Sequence, residues 1–253
     1  MARSPSGDSM VARIVRVLEA FDAGAVSLTT QELAERARLP RSTASRLVGQ
    51  LVTFGLLHRD GSRRIRVGVR MWELAARASP ALALREVAMP FMEDLQTVIG
   101  QHTQLGVRDG REVLFVERLS ARGAVINITR VAGRLPLHAS SAGLVLLANG
   151  PTAVQEAVLA APLRAYTDAT VTDPAALRRM LAQVRHQDYA LTAGFIDPAA
   201  TGVAVPVRDP RGRVVAALAV VVPNDDEARA SVGVLRTAAR GLGRALGGRV
   251  TID

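Results

Sequence analysis

The 253-residue chain has no cysteine, which removes disulfides, thiolate metal sites and cysteine nucleophiles. It also has no lysine, so all 32 basic residues are arginine. Aromatic residues are few (one Trp, two Tyr, five Phe), and any core must be built from Ala, Val and Leu. Long apolar runs are missing: Val214 to Val222 reaches about half of what a membrane span needs, so no membrane partner is expected. The first residues, Met1-Ala-Arg-Ser-Pro-Ser-Gly-Asp, contain no apolar leader, which makes the cytoplasm the expected location. What is present suits a folded chain: 49% hydrophobic and 22% charged residues exclude global disorder, and the length admits one large domain or two ordinary ones.

The formal net charge is +9, and it is unevenly spread. Residues 1–79 hold 13 Arg against 7 acids, and within 36–70 nine Arg face a single acid, Asp60. Such a window inside a folded stretch points to a polyanion, although a solvated surface in an arginine-rich proteome would give the same count.

Hydrophobic spacing divides the chain in two. Val11, Ile14, Val15, Leu18 and Phe21 predict an amphipathic helix over 9–22 capped by Ser9. A second helix opens near Thr29 or Thr30, with Glu32 placed for a capping box. A third runs from Arg41 to about Phe54, with Pro40 suited to its first position and Gly55 ending it. Leu56–Arg59 and Arg63–Val67, joined by Asp60-Gly61-Ser62, predict a hairpin. A helical segment from Met71 to about Ile99 follows, with interruptions expected near Ser79-Pro80 and Met89-Pro90. Beyond 103, strands are expected at 105–108, 113–118, 125–130, 203–207 and 214–222, with helices at 140–147, 152–159, 174–186 and 226–246. This mixture predicts an α+β domain with an antiparallel sheet.

The strongest motif begins at Thr30. Two helices joined by a tight turn need apolar residues at fixed offsets and a small one where they cross. Leu33, Ala37, Leu39, Ala44 and Leu47 fill those offsets, and Ala34 stands at the crossing. The third helix then presents Arg41, Ser42, Thr43, Ser45 and Arg46, groups suited to base edges and phosphates in a major groove. Arg38 stands where the turn often has Gly. A left-handed Arg would be strained there, so a differently built turn is expected. The hairpin behind this helix is expected to act as a wing, with Arg59, Ser62, Arg63 and Arg64 along the phosphates.

The run Leu39-Pro-Arg-Ser-Thr-Ala-Ser-Arg-Leu-Val-Gly-Gln-Leu-Val-Thr-Phe-Gly-Leu-Leu-His-Arg-Asp60 closely resembles the winged helix of IclR-type bacterial transcription regulators. Leu135-Pro-Leu-His-Ala-Ser-Ser-Ala-Gly-Leu-Val-Leu-Leu-Ala148 is similar to that family's effector-domain signature, and the stretch from Asp188-Tyr-Ala to Val203-Ala-Val-Pro-Val207 matches in the same order. The resemblance implies a winged helix-turn-helix domain (9–70), a linker helix (71–88) and a GAF-like effector domain (89–253). It also implies a double-stranded DNA operator as partner, and homodimers through the DNA-binding domains, often paired into homotetramers.

It further implies a ligand pocket on one side of the C-terminal sheet. The residues after Pro-Leu-His-Ala are Ser140, Ser141 and Ala142. Where the family has a Cys opening a strand, this chain has Gly202, and the loop acid ten residues earlier is Thr192. The alternate strand positions are Ala219 and Val221, and Asn127 and Leu135 complete the wall. Four polar anchors have thus become Thr, Gly, Ala and Val, which predicts a roomier, less polar cavity. A short oxoacid would lose hydrogen bonds there, each worth about 0.5–1.5 kcal/mol. The expected effector is an aromatic or medium-length carboxylic acid with its anion at the helix start. The alternative is that Ser140 and Ser141 only cap the helix and side chains fill the space.

Enzyme signatures are weak. His58, His102, His138 and His186 are scattered, and neither a Gly-x-Ser-x-Gly elbow nor a phosphate loop occurs, so no cofactor is expected. His138 reads as structural, and Asp197 beside Pro198 reads as a turn residue. The reading that follows is an effector-responsive DNA-binding regulator. An enzyme built on the C-terminal domain and a non-specific DNA binder without effector are its rivals.

Overall fold

A computed structural model describes residues 8–22 and 24–247, apart from the side chain of Ala78. Residues 1–7, where a leader was sought, lie outside this range. The chain divides into two compact units, Met1–Ser79 and Pro80–Asp253.

The first unit holds three helices and a hairpin. Helix α1 (Met10–Glu19) is capped by Ser9, whose hydroxyl accepts from the Ala12 amide at 3.1 Å. Helix α2 (Thr30–Arg36) opens with the expected capping box: Thr29 Oγ1 accepts from the Glu32 amide, and Glu32 accepts from the Thr29 amide. Helix α3 spans Arg41–Thr53, with Pro40 as its N-cap and not its first residue. Leu33, Ala37, Ala44 and Leu47 are buried with the crossing residue Ala34, and Leu39 is half-buried against them.

The turn between α2 and α3 keeps the left-handed geometry despite Arg38, whose φ is +52°. Leu39 N–H reaches Ala34 O at 2.9 Å and Arg38 N–H reaches Glu35 O at 3.1 Å, the bond pair of a Schellman motif. The same motif closes α3, where Gly55 takes the equivalent place at φ +72° and Leu56 N–H reaches Leu51 O. The expectation of a differently built turn is therefore overturned. The two hydrogen bonds hold the backbone where arginine alone would not go.

Strands β1 (Leu57–Arg59) and β2 (Ile65–Val67) pair antiparallel, and Leu28 bridges to Ile65 on the other side. Helix α4 (Val69–Ala78) ends this unit. The interruption expected near Ser79-Pro80 is present, so residues 71–88 do not form one linker helix. Ser79 is extended (φ −87°, ψ 110°), as a residue before proline prefers, and a new helix, α5 (Pro80–Ile99), begins the second unit. No interruption occurs at Pro90. Leu84, Ala88, Met92 and Leu95 form one buried stripe through that position, and packing outweighs the lost amide.

In the second unit, β3 (His102–Asp109), β4 (Glu112–Ser120), β5 (Arg134–Pro136), β6 (Ala190–Ala193), β7 (Ala200–Arg208) and β8 (Val214–Pro223) form one antiparallel sheet in the order β5-β4-β3-β8-β7-β6. One face packs on α5 and on α9 (Ser231–Leu246), which follows a 3-10 turn at Asp226–Ala230. Buried Glu117 on β4 pairs with Arg85 of α5 at 2.5 Å. The other face packs on α6 (Ser141–Ala148), α7 (Thr152–Leu159) and α8 (Pro174–Gln187).

Residues 125–130 do not form the expected strand. Val125-Ile-Asn-Ile alternates as a strand would, yet the segment is an irregular strap fastened mainly by side chains. His102 Nε2 lies 2.6 Å from Val125 O, Gln101 accepts from the Val125 amide, and Arg118 donates to the carbonyls of Asn127 and Thr129.

Candidate nucleic-acid interface and ligand chamber

On α3, burial of Ala44, Leu47, Val48 and Leu51 turns Arg41, Ser42, Ser45 and Arg46 outward, with Thr43 half-buried. Thr30 is half-exposed at the start of α2. Among the described residues, the guanidinium groups of Arg41, Arg46, Arg59 and Arg63 have no protein partner. Four cations are thereby left for an external anion.

The wing is organised by Asp60. Its carboxylate accepts from the Ser62 hydroxyl (2.7 Å), the amides of Ser62 and Arg64, and Arg66 (2.8 Å). The Ser62 hydroxyl chiefly, against the opposing effect of burial, holds this carboxyl below its ordinary range. Arg63 sits at the tip with φ +62° and its side chain exposed. Arg64 turns inward: its guanidinium donates to Ser27 Oγ (2.7 Å) and Ser27 O (2.6 Å) and lies 3.5 Å from Glu32. Arg64 thus ties the wing to the start of α2.

The second unit holds a narrow chamber, with a cavity volume of about 50 Å3 inside about 480 Å3 that counts all non-atom space and its open mouth. Sheet register explains its wall. Thr192, Gly202 and Val221 stand side by side across β6, β7 and β8, while Gln104 of β3 pairs with Ala219 one row further. Phe115 and Leu135 continue the same face on β4 and β5. The start of α6 closes one side, with Ser140 as N-cap accepting from the Gly143 amide at 3.1 Å. The first amides of a helix have no intrahelical acceptor, so this end of the chamber attracts anions. The strap supplies Ile126, Asn127, Ile128 and Thr129.

Eight of the nine expected chamber residues line it: Asn127, Leu135, Ser140, Ser141, Ala142, Thr192, Gly202 and Val221. Ala219 does not, being buried in the core beneath α6. Gly202 does not enlarge the space as expected. A Cβ built there would stand 2.8 Å from both Ser141 Oγ and Thr192 Oγ1, so two hydroxyls occupy the room the missing side chain leaves. Nor is the wall poor in polar groups. Gln104 Nε2 donates to Thr129 Oγ1 (2.5 Å), which donates to Asn127 Oδ1 (2.7 Å). This chain fixes the Asn127 amide and leaves its buried Nδ2 without a partner. Gln104, Phe115, Ile126, Ile128, Thr129, Ile196, Asp197 and Ala200 were not anticipated. A lone Gln in the middle of a buried strand was the available signal for the first. Asp197 does make a turn, accepting from the Ala199 amide at 2.9 Å, and also lines the chamber. His138 lies outside it, with Nε2 3.0 Å from Arg164 O.

Comparison with known proteins is consistent along the chain. The model of the IclR helix-turn-helix domain matches residues 10–61, and that of the bacterial transcriptional regulator IclR C-terminal domain matches residues 76–244. The chain belongs to the IclR family of bacterial transcriptional regulators. It is 32% identical over 216 residues to the HTH-type transcriptional regulator XynR of Escherichia coli, covering 83% of this chain and 84% of that one. It is 27% identical to the Pca regulon regulatory protein of Pseudomonas putida, covering 85% and 75%. A crystal structure of an IclR homolog from Microbacterium hydrocarbonoxydans, complexed with 4-hydroxybenzoate, superposes with a TM-score of 0.89 at 48% identity, covering 95% of this chain and all of that one. Membership in the IclR family makes this a DNA-binding regulator and sets aside the enzyme alternative. Among the described residues, no helix is long and apolar enough to cross a membrane.

Proposed function

We propose that this IclR-family regulator senses an aromatic monocarboxylic acid of the hydroxybenzoate type and transmits its binding to an operator. The chamber carries the reading: a helix start suited to an anion, an apolar body of Phe115, Leu135, Ile196 and Val221, and an unpartnered donor on Asn127. The carboxylate sits at Ser140 and Ser141, the ring lies against the apolar wall, and a ligand oxygen accepts from Asn127 Nδ2. The similar regulator that carries 4-hydroxybenzoate supports the ligand class.

On the DNA side, Arg41, Ser42, Thr43, Ser45 and Arg46 face the major groove with Thr30 beside them. Arg59, Ser62 and Arg63 follow the phosphates, and Arg64 holds the wing in place. The regulator works as a homodimer or a homotetramer on a pseudopalindromic operator, its half-sites about one helical turn apart or a multiple of it. The effector acts by binding two arrangements of the winged domains with unequal affinity.

Calorimetry with benzoates, aliphatic acids and short oxoacids tests the chamber. Hydroxybenzoates are expected to bind most tightly, and tightest binding by glyoxylate or pyruvate would refute the assignment. A mobility-shift assay on the DNA upstream of its own gene, with and without the tightest acid, tests the coupling. Equal affinity for that DNA and for random duplex would restore the non-specific binder.

A further inference from the structure

A second concavity, about 1330 Å3 counting its open mouth, lies on the sheet's opposite side, between α9 and the turn joining β7 to β8. It shares no lining residue with the ligand chamber. Its floor is apolar and closely joined, since a Cβ on Gly243 would stand 2.4 Å from Arg208 O. Arg236, Arg240 and Arg244 line it from successive turns of α9, about 6 Å apart along the axis, and Arg208 lines it from β7. Like charges one turn apart repel, so the row disfavours an empty cleft.

The two acids in the wall do not neutralise the row. Asp188 pairs with Arg208 at 2.8 Å, and Asp209 pairs with Arg213 at 2.8 Å while accepting two amides of its own turn. Arg236 donates to Gln187 O and stacks over Tyr189, with 5.6 Å to the ring centre. Arg240 spends only Nε, on Arg236 O. Among the described residues, the terminal nitrogens of Arg240 and the whole Arg244 guanidinium have no acceptor. Arg244, in the last turn, also suits the helix dipole, whereas Arg236 and Arg240 stand too far from that end to benefit.

Guanidinium forks pair in bidentate fashion with carboxylate and phosphate. We propose that this cleft is a second ligand site, taking a small molecule with two or more oxyanion groups. Its occupant bridges Arg240 and Arg244 and binds independently of the aromatic acid, the two sites having no lining residue in common.

The test is calorimetry on the full chain in dilute buffer, with inorganic pyrophosphate and with citrate in separate titrations. At least one anion is expected to saturate at one per chain, and which one distinguishes a phosphorylated from a polycarboxylate ligand. Arg240→Ala and Arg244→Ala should each weaken that binding at least tenfold and leave 4-hydroxybenzoate binding unchanged. Arg179→Ala, which removes an exposed charge elsewhere, should have no effect. Binding of neither anion would overturn the proposal, as would an equal loss in Arg179→Ala. A parallel loss of duplex affinity in the two cleft variants would also overturn it, by assigning the arginines to nucleic acid.

Discussion

Replacing Arg38 by glycine should make the protein more stable, although it deletes a side chain from the middle of the DNA-binding unit. Arg38 is held at φ +52°, where an L-residue is disfavoured by about 1–2 kcal/mol. Glycine relieves that strain but adds freedom to the unfolded chain, which offsets about 0.4–1 kcal/mol. The side chain is exposed and makes no hydrogen bond or ion pair among the described residues, so its loss costs little else. The net gain is about 1 kcal/mol, which for a unit of this size raises the melting temperature by about 4–8 °C. Gly55 is the internal precedent, performing the same task at the end of α3. Thermal unfolding followed by circular dichroism measures the shift, and Arg38→Ala, which keeps the φ penalty, serves as control. A lower melting temperature for Arg38→Gly than for Arg38→Ala would refute the reasoning.

On α3, if it reads the major groove as proposed, Arg46→Ala should weaken operator binding by about 1–3 kcal/mol and relax specificity at one base pair. Arg63→Ala should instead weaken all duplexes alike and flatten the salt dependence by about one unit; a sequence-selective loss in fluorescence anisotropy would reverse the two roles. In α6, Gly143→Ala should destabilise the second unit by about 1–3 kcal/mol, because its Cβ would stand 2.4 Å from Leu137 O and 2.7 Å from Leu137 Cα; an unchanged melting temperature would contradict that packing. The lowered Asp60 carboxyl contributes stability that is present above the ordinary carboxylate range and fades as pH falls through its folded value. Asp60→Asn should therefore be less stable than the parent near neutrality, with the gap closing in acid; parallel urea midpoints from about pH 7 to about pH 3 would remove Asp60 as the wing's organiser.

Local signals were legible where one element sufficed to satisfy them. The Thr29–Glu32 capping box, the buried offsets of α2 and α3 and the Asp-Gly hairpin each depend on residues within a few positions, and each formed as expected. The strap misled because alternation at Val125–Ile128 says nothing about whether a neighbouring strand offers its amides and carbonyls. Pro90 misled for the converse reason: the stripe from Leu84 to Leu95 packs a helix that local propensity would break. In the chamber, motif resemblance located eight wall positions, but Gln104, Phe115 and Thr129 join only through the register of β3, β4 and the strap. Gly202 showed the limit of reading space from residue size. Room vacated by a missing side chain is claimed by whatever stands opposite, here the hydroxyls of Ser141 and Thr192.

The strap's manner of fastening has a consequence for how such a sensor diversifies. Its attachment depends mainly on Gln101, His102, Gln104 and Arg118, not on a ladder of backbone pairs, so it can yield outward without unzipping the strands behind it. Tolerance for bulkier guests is then set by side chains that need never meet the guest, and single substitutions there can retune selectivity while the sheet stays as it is.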